Sequence, residues 1–315
     1  MSRGGSKVLN EELLQFLQQS PTPFHAVSNM VRLLEQAGFH RLDEISHWEL
    51  KKNGSYFVVR NDSALVAFNV GSVLPLNGGL RLFGAHTDSP CLKVKPNPEI
   101  NNHGYVQLGV EVYGGPILAT FTDRDLSLAG RVSYKTAEGT VDSQLVKFDQ
   151  VLLRLPNLAI HMNREVNEQG LKLDKQTELP LIISTAINEQ LADKYFKNLL
   201  AKQMNVDVEA ILSWELTVFD TQKGAFWGDQ QQFYTNSQLD NLASCHAGMQ
   251  ALLDDAVLKS ANTQLCAFFD HEEIGSESTK GADGSFLPDI LQRIALAMDV
   301  DREDYQRALA NSFMI

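Results

Sequence analysis

A histidine and an aspartate stand two residues apart in the segment GAHTDSP, residues 84–90. The apolar run at residues 80–83 predicts a strand, and side chains two apart in an extended segment share a face, so His86 and Asp88 can point the same way. An imidazole that binds a metal ion is normally oriented by a carboxylate or carbonyl on its other nitrogen. The pair therefore indicates a metal ligand, His86, with Asp88 as its orienting partner; a solvated histidine in a turn is the alternative.

The segment DHEE at residues 270–273 places four ionisable residues directly after a second apolar run. Neighbouring carboxylates such as Glu272 and Glu273 repel each other unless a cation or a shared proton relieves them. Because the preceding residues predict a buried strand, the pattern favours a metal site over a solvated loop.

An aspartate, Asp240, lies at the start of a helical pattern in the segment QLDNL, residues 238–242. Taken alone, it is more typical of a helix cap. Taken together with the first two clusters, it completes a set of His, Asp and Glu residues. These are the ligand types of hydrolytic zinc sites, in which a spare carboxylate deprotonates a water molecule.

Other catalytic chemistries have less support. The sequence contains no GxxxxGK[ST], GxGxxG or GxSxG motif, so phosphate-cradling loops and nucleophile elbows are not indicated. Cys91 lies in a predicted strand and Cys245 in a helical pattern, and each is more typical of a small core residue than of a nucleophile.

The elements that must position these residues alternate between helix and strand at both ends of the chain. Two helices are predicted within residues 10–38, with Thr22 and Pro23 at the start of the second and Gly38 as a stop. Hydrophobic patterning predicts further elements: strands at 56–60, 64–70, 80–85, 105–113, 130–135, 140–148 and 263–269, and helices at 189–206, 239–256 and 286–310.

This order predicts an α/β domain interrupted by a mostly β insertion. We place the first part of the α/β domain at residues 1–96, the insertion at 97–235 and the second part at 236–315. The length of 315 residues agrees with two domains, because one hydrophobic core rarely serves more than roughly 250–300 residues.

Charge and composition exclude several partners and compartments. The net charge of −12 repels phosphate backbones and anionic membranes, so neither nucleic acid nor a membrane surface is an expected partner. No stretch approaches the roughly 18 apolar residues of a spanning helix, and residues 1–9 do not resemble a signal peptide. Three cysteines without CxxC spacing favour a reducing compartment, and hence the cytoplasm.

Five separated segments resemble the aspartyl aminopeptidase family of dinuclear zinc exopeptidases, most closely its bacterial branch. The segments are GAHTDSPCLKVKPNPEI (84–100), DRDLSLAGRV (123–132), PNLAIHMNREVNEQG (156–170), LDNLASCHAGMQALL (239–253) and DHEEIGSESTKGADGSFL (270–287). They occur in the family's order, and the likeness extends from about Leu13 onward. The resemblance implies a three-layer αβα zinc-exopeptidase domain with a β-rich oligomerisation domain inserted into it.

The resemblance also implies a role for each candidate residue. His86 is a zinc ligand, Asp88 holds its imidazole, and Asp240 bridges two zinc ions. Glu272 is the general base and Glu273 a zinc ligand.

A further histidine, His161 in the segment AIHMNR, matches a family residue that belongs either to the metal site or to the active site of a neighbouring subunit. The resemblance implies peptide substrates with a free amino terminus, a preference for a first Asp or Glu, and a tetrahedral homo-oligomer of twelve subunits.

Residues 312–315, SFMI, predict the beginning of a strand; the alternative is that they cap a surface groove. Family members continue beyond the position of Ile315 into a strand and loop with further aspartate and histidine ligands, so the catalytic domain is expected to be truncated. A catalytically inactive fragment or assembly subunit is therefore an alternative to an active enzyme. A zinc amidase or deacylase with the same ligands is a third possibility.

Overall fold

The computed structural model describes residues 3–73, 79–185 and 194–315. The chain forms two compact units: the first consists of Met1–Ser89 with Gly224–Ile315, and the second of Pro90–Lys223. In chain order the helices are α1 (Arg3–Gln19), α2 (Pro23–Gln36), α3 (Val166–Gln169), α4 (Tyr195–Met204), α5 (Leu239–Leu252), α6 (Asp255–Leu258), α7 (Phe286–Ala297) and α8 (Arg302–Ala310).

The strands of the first unit form a sheet of six in the order β1-β2-β3-β13-β4-β14, with a separate hairpin of β11 and β12. Their bounds are β1 (His40–Arg41), β2 (Ser55–Arg60), β3 (Ala64–Asn69), β4 (Arg81–His86), β11 (Ala225–Trp227), β12 (Phe233–Thr235), β13 (Gln264–Phe269) and β14 (Phe313–Met314). Strands β4 and β13 are parallel neighbours, and β14 adds to β4 in parallel. The strand expected at residues 312–315 is therefore confirmed.

Helices cover both faces of this sheet, which gives the expected αβα layers. Helices α1, α2 and α5 bury apolar residues such as Phe16, Met30 and Met249 against one face, and α7 buries Phe286 and Ile290 against the other. Alternate residues of each central strand serve the two cores, as the twofold period of an extended chain requires.

The second unit is built around an antiparallel sheet in the order β8-β7-β10-β5-β6-β9. Its strands are β5 (Cys91–Asn102), β6 (Tyr105–Tyr113), β7 (Leu126–Lys135), β8 (Val141–Lys147), β9 (Leu181–Thr185) and β10 (Ile211–Asp220). Helix α4 packs Phe196 and Leu200 into the core of this sheet.

Sequence patterning located most elements but not every boundary. Thr22 caps α2 by accepting from the His25 N–H, Pro23 begins the helix, and Gly38 follows it with φ of 82°, as predicted.

The single helix predicted at 286–310 is wrong, because α7 ends at Ala297 and the Asp301 side chain caps a new helix, α8. The helix predicted at 189–206 is observed as α4, which covers Tyr195–Met204. Residues 189–193 of that prediction lie outside the described residues.

The compact second unit, Pro90–Lys223, begins and ends earlier in the chain than the insertion expected at 97–235. Strand β5 already pairs within the sheet of the second unit, whereas β11 and β12 belong to the first unit. Across the described residues, no helix is long and apolar enough to cross a membrane.

Candidate metal centre

His86 is the last residue of β4 and lies opposite Phe269, the last residue of the parallel neighbour β13. Because neighbouring parallel strands end at the same edge of a sheet, the segments that follow them meet there. The two clusters that the sequence places more than 180 residues apart are thereby brought together. The His86 side chain is largely buried, with its Nδ1 3.0 Å from the Asp88 carbonyl oxygen and 3.4 Å from the Asp88 carboxylate.

The Asp88 carboxylate is fully buried and accepts two backbone hydrogen bonds across the sheet edge. The Glu272 N–H donates to Oδ1 at 3.2 Å and the Glu273 N–H donates to Oδ2 at 3.1 Å. Asp88 therefore holds the loop of the two glutamates with its carboxylate, while its carbonyl oxygen is the nearer acceptor for the His86 imidazole.

The two glutamates lie in a 3-10 turn, Glu272–Ile274, that follows His271 in a left-handed conformation. This turn directs both carboxylates towards His86: ligand atoms of His86, Glu272 and Glu273 all lie within 4.8 Å of one another. The distance from His86 Nε2 to Glu272 Oε2 is 3.7 Å.

Asp240 joins this group from the start of α5. Its Oδ1 lies 3.3 Å from His86 Nε2, and 84% of its side chain is exposed. Its own φ and ψ of −85° and 111° are not helical, and the peptide bond to Asn241 is cis. The hydroxyl of Ser89 donates to the Asp240 carbonyl oxygen at 2.9 Å. Ser89 carried no sequence signal of its own beyond its place in the HTDSP segment.

The clustered carboxylates change the proton affinities of the site. Burial alone lowers the pKa of the His86 imidazole, but Asp88 and Glu272 raise it more, so that this pKa lies above its usual value. Burial raises the pKa of the Glu273 carboxyl, and the charges of Glu272, Asp88 and Asp240 raise it further, against an opposing effect of His86.

These observations fit a divalent cation of the zinc type. One imidazole nitrogen and three carboxylates converge, and these are donors that zinc accepts. Burial is the main cause of the raised pKa of Glu273, and the neighbouring charges of Glu272, Asp88 and Asp240 add to it; a bound cation would offset these charges. The residues that could hold the ion are His86, Asp240 and Glu273, with Glu272 beside them.

His161 is the remaining candidate for the metal site. It belongs to the second unit, is exposed, and stands in the turn before α3, between the exposed apolar residues Ile160 and Met162. The group of described residues that could hold a metal ion does not include it. Its assignment to the metal site remains a prediction.

The cysteines near the site are structural. Cys245 is buried in α5, where its thiol donates to the His86 carbonyl oxygen at 3.1 Å, and burial raises its pKa. Burial also raises the pKa of the Cys266 thiol to about 12. Both thiols stay protonated at neutral pH and are poor nucleophiles.

Comparison with known proteins identifies a family whose sequences match this chain. The model of the peptidase M18 family, described as aminopeptidase I zinc metalloprotease, matches residues 16–315. A probable M18 family aminopeptidase 2 from Pseudomonas savastanoi pv. phaseolicola is 48% identical over 309 residues, which cover 98% of this chain and 70% of the relative.

Solved structures agree with this match. The structure of an Ape4 and Nbr1 complex superimposes with a TM-score of 0.92 and 35% identity, covering 98% of this chain and 63% of that one. The mApe1 dodecamer of S. cerevisiae gives a TM-score of 0.81 and 27% identity, covering 96% of this chain and 70% of that one.

Proposed function

The chain belongs to the aminopeptidase I zinc metalloprotease family, peptidase family M18, and from this we propose that it is a zinc aminopeptidase that removes residues from the amino terminus of peptides. The observation that carries the proposal is the convergence of His86, Glu272 and Glu273 at the ends of β4 and β13. The family match confirms the resemblance that the five sequence segments carry, and it confirms that the family consists of hydrolases.

In this proposal His86, Glu273 and Asp240 would hold zinc, and the resemblance assigns Asp240 to both ions of a two-zinc site. Zinc bound there polarises a carbonyl group and lowers the pKa of water. Asp88 keeps the imidazole of His86 in the orientation that presents Nε2 to the metal, because Nδ1 faces the Asp88 carbonyl.

Glu272 is the proposed general base. About half of its side chain is exposed, and its backbone N–H is held by Asp88, so the carboxylate reaches the open side of the site. It accepts a proton from the attacking water and returns that proton to the leaving amine.

The central test is Glu272→Gln in the purified protein. The amide keeps the shape of the side chain but cannot accept a proton, so we expect kcat to fall by about 10²–10⁴-fold while elemental analysis finds the zinc content unchanged. Glu277→Gln, an exposed glutamate of the same loop, is the matched control and should keep wild-type kcat. Wild-type turnover in Glu272→Gln would remove Glu272 from the base role, and zinc-free wild-type protein would overturn the metal site.

The substrate is proposed to be a peptide with a free amino terminus and an acidic first residue, which the resemblance to aspartyl aminopeptidases supports. We expect kcat/KM for an aspartyl or glutamyl anilide to exceed that for leucyl or lysyl anilides. Preferential hydrolysis of N-acylated amino acids would favour the amidase or deacylase alternative instead. The comparisons do not support the alternative of a catalytically inactive fragment or assembly subunit.

A homo-oligomer, on the pattern of the twelve-subunit relative, is proposed for the assembly. The exposed apolar residues Leu158, Ile160 and Met162 of the second unit support it, because adjoining apolar surface is typical of subunit contacts. Size-exclusion chromatography with light scattering should show one large species, and Met162→Asp should reduce its size whereas Ile45→Asp, on the exposed surface of the first unit, should not.

His161 is proposed to act at the active site, in its own subunit or in a neighbour. Mixing the inactive Glu272→Gln and His161→Ala proteins distinguishes the two arrangements. Activity restored in mixed oligomers indicates that His161 acts across subunits, whereas no restoration indicates action within one subunit. Wild-type activity in His161→Ala would remove the residue from the site.

We place the protein in the cytoplasm as a proposal, because its three cysteines are few and lack CxxC spacing, which is typical of proteins from a reducing compartment. Cell fractionation with an antibody to the protein tests this location.

A further inference from the structure

Lys280 carries a buried positive charge close to the candidate metal centre. It lies in the loop that follows the two glutamates, and only 11% of its side chain is exposed. Its Nζ lies 2.7 Å from Asp270 Oδ2, whose side chain is 5% exposed, and it donates to the Ser63 hydroxyl at 2.7 Å. A buried ammonium is costly unless it is paired, and the proposed hydrolysis makes no use of this one.

The ion pair closes the loop that contains Glu272 and Glu273. The Asp270 N–H donates to the Lys280 carbonyl oxygen at 3.0 Å, so backbone and side chains join the same two residues. The second oxygen of Asp270 accepts from the His271 N–H at 2.8 Å, at the residue immediately before the glutamates. Asp270 thus fixes the start of the turn, and Lys280 fixes Asp270.

Ser63 extends this connection to the segment of His86. Its carbonyl oxygen accepts from the Thr87 hydroxyl at 2.8 Å, and the Thr87 N–H donates to the Phe269 carbonyl oxygen at 2.7 Å. Thr87 stands between His86 and Asp88. Lys280 is therefore linked to both segments that supply groups to the site, one after β4 and one after β13.

We infer that Lys280 is a positioning residue that holds the Asp270–Lys280 loop in the conformation that presents Glu272 and Glu273 to zinc. This inference rests on the proposed function for its catalytic consequence. Lys280 acts through Asp270 and Ser63, since its ammonium is bonded to those two side chains. Without the ammonium, a buried Asp270 carboxylate loses its partner, and the turn of the glutamates loses its anchor.

The test is Lys280→Met, which removes the charge and keeps a similar unbranched length. In a chelator competition we expect zinc affinity to fall by about 10–100-fold, the range for loss of groups that support metal ligands. We expect kcat to fall while KM stays within about threefold, because the loop carries the base. In the metal-free protein, amide exchange in peptides covering 270–281 should accelerate by at least about tenfold, whereas exchange in residues 90–223 should not change.

Two further variants, at Lys280 and at its hydrogen-bond partner Ser63, refine the test. Lys280→Arg keeps the charge and should recover part of the zinc affinity lost in Lys280→Met. Ser63→Ala keeps the ion pair and removes one hydrogen bond, so it should accelerate exchange in 270–281 by a smaller factor.

Arg293→Met is the matched control, because Arg293 is a cation of the same unit that stacks on Trp48 at 3.8 Å and donates to the Glu44 carbonyl. It should leave zinc affinity and loop exchange unchanged.

Unchanged zinc affinity and unchanged loop exchange in Lys280→Met would overturn the inference. If Lys280→Met does not fold, Ser63→Ala decides, and wild-type exchange in 270–281 for that variant would overturn it. If the wild-type protein binds no zinc, the proposed function fails independently of Lys280. Accelerated amide exchange of residues 270–281 in Lys280→Met would then still support the positioning role of Lys280. Unchanged exchange there would overturn the positioning role as well.

Discussion

Asp88 shows how much one buried carboxylate does at the residue scale. Its spacing from His86 predicted an orienting contact with the imidazole, and the structure places the Asp88 carbonyl oxygen and carboxylate 3.0 and 3.4 Å from Nδ1. The same carboxylate accepts from both glutamate N–H groups, an arrangement that no local spacing indicates. A single side chain therefore connects the two halves of the candidate site.

We predict that Asp88→Asn weakens zinc binding by about 10–100-fold. The asparagine retains one acceptor oxygen, and its NH₂ group faces a backbone N–H that it cannot satisfy, so the glutamate turn must move. Zinc affinity measured by chelator competition checks the prediction.

The control for this change is Asp254→Asn, since Asp254 is an exposed helix cap that accepts from the Ala256 N–H and asparagine caps equally well. Equal zinc affinities for the two variants would contradict the proposed role of Asp88.

A second residue-scale prediction concerns His246, which is buried on α5. Burial lowers the pKa of this imidazole below the ordinary 6.5, and the charge of Glu12 offsets the effect only in part. The unfolded chain therefore takes up a proton at a higher pH than the folded chain. The stability present above about pH 6.5 is lost as the pH falls towards the lower, folded pKa.

Urea unfolding between pH 7.5 and 5 measures this loss. His246→Gln should make the free energy of unfolding less dependent on pH in that window, whereas His47→Gln, at an exposed histidine, should not. An identical pH dependence in wild type and His246→Gln would show that His246 does not contribute.

At the element scale, α5 approaches the sheet closely because of Gly248. A Cβ built on Gly248 would lie 2.6 Å from the Phe83 ring of β4 and 3.4 Å from the ring of Phe268 in β13. The close approach matters for the site, because Asp240 lies in the first turn of α5 while β4 and β13 lead to the other ligands.

We predict that Gly248→Ala destabilises the protein by up to about 2 kcal/mol: overpacking costs about 1–3 kcal/mol, and the better helix propensity of alanine recovers about 1 kcal/mol. Ala247→Ser, on the exposed side of the same helix, should change stability by less than about 0.5 kcal/mol. Chemical denaturation measures both, and a stabilised Gly248→Ala protein would show that Phe83 moves aside without cost.

Hydrophobic periodicity predicts whether an element is a helix or a strand where apolar residues recur at one clear spacing. Helix α2 is such a case, because Thr22, Pro23 and Gly38 provide local start and stop signals. The break between α7 and α8 was missed because the apolar period continues through it, while the interruption depends on capping by the Asp301 side chain. The start of the second unit was placed late because a strand pattern does not reveal which sheet the strand joins.

At the scale of the whole molecule, the candidate ligands that the structure brings together, His86, Asp240, Glu272 and Glu273, belong to the first unit. Metal binding is therefore expected to stabilise that unit, since a ligand that binds only the folded state adds stability by mass action. The second unit has its own apolar core, built on its own sheet.

We predict that chelation of zinc lowers the unfolding temperature, by an amount that corresponds to about 2.7 kcal/mol when free zinc is at 100 times its dissociation constant. Amide exchange should increase at residues 86–88, 238–242 and 270–275 and stay constant in strands β6, β7 and β10. Glu273→Gln, which lacks a proposed ligand, should show a smaller shift on chelation. An exchange increase spread evenly over both units would contradict a metal site confined to the first.

Sequence alone determined the family and the candidate ligands, because those depend on short contiguous motifs such as HTDSP and DHEE, whose residue identities carry the resemblance. Tertiary structure decided how they meet: the parallel register that sets Phe269 beside His86, the hydrogen bonds from the glutamate turn to Asp88, and the buried pair of Lys280 with Asp270. Strand pairing and buried charge contacts join residues far apart in the chain, and local periodicity contains no information about such partners.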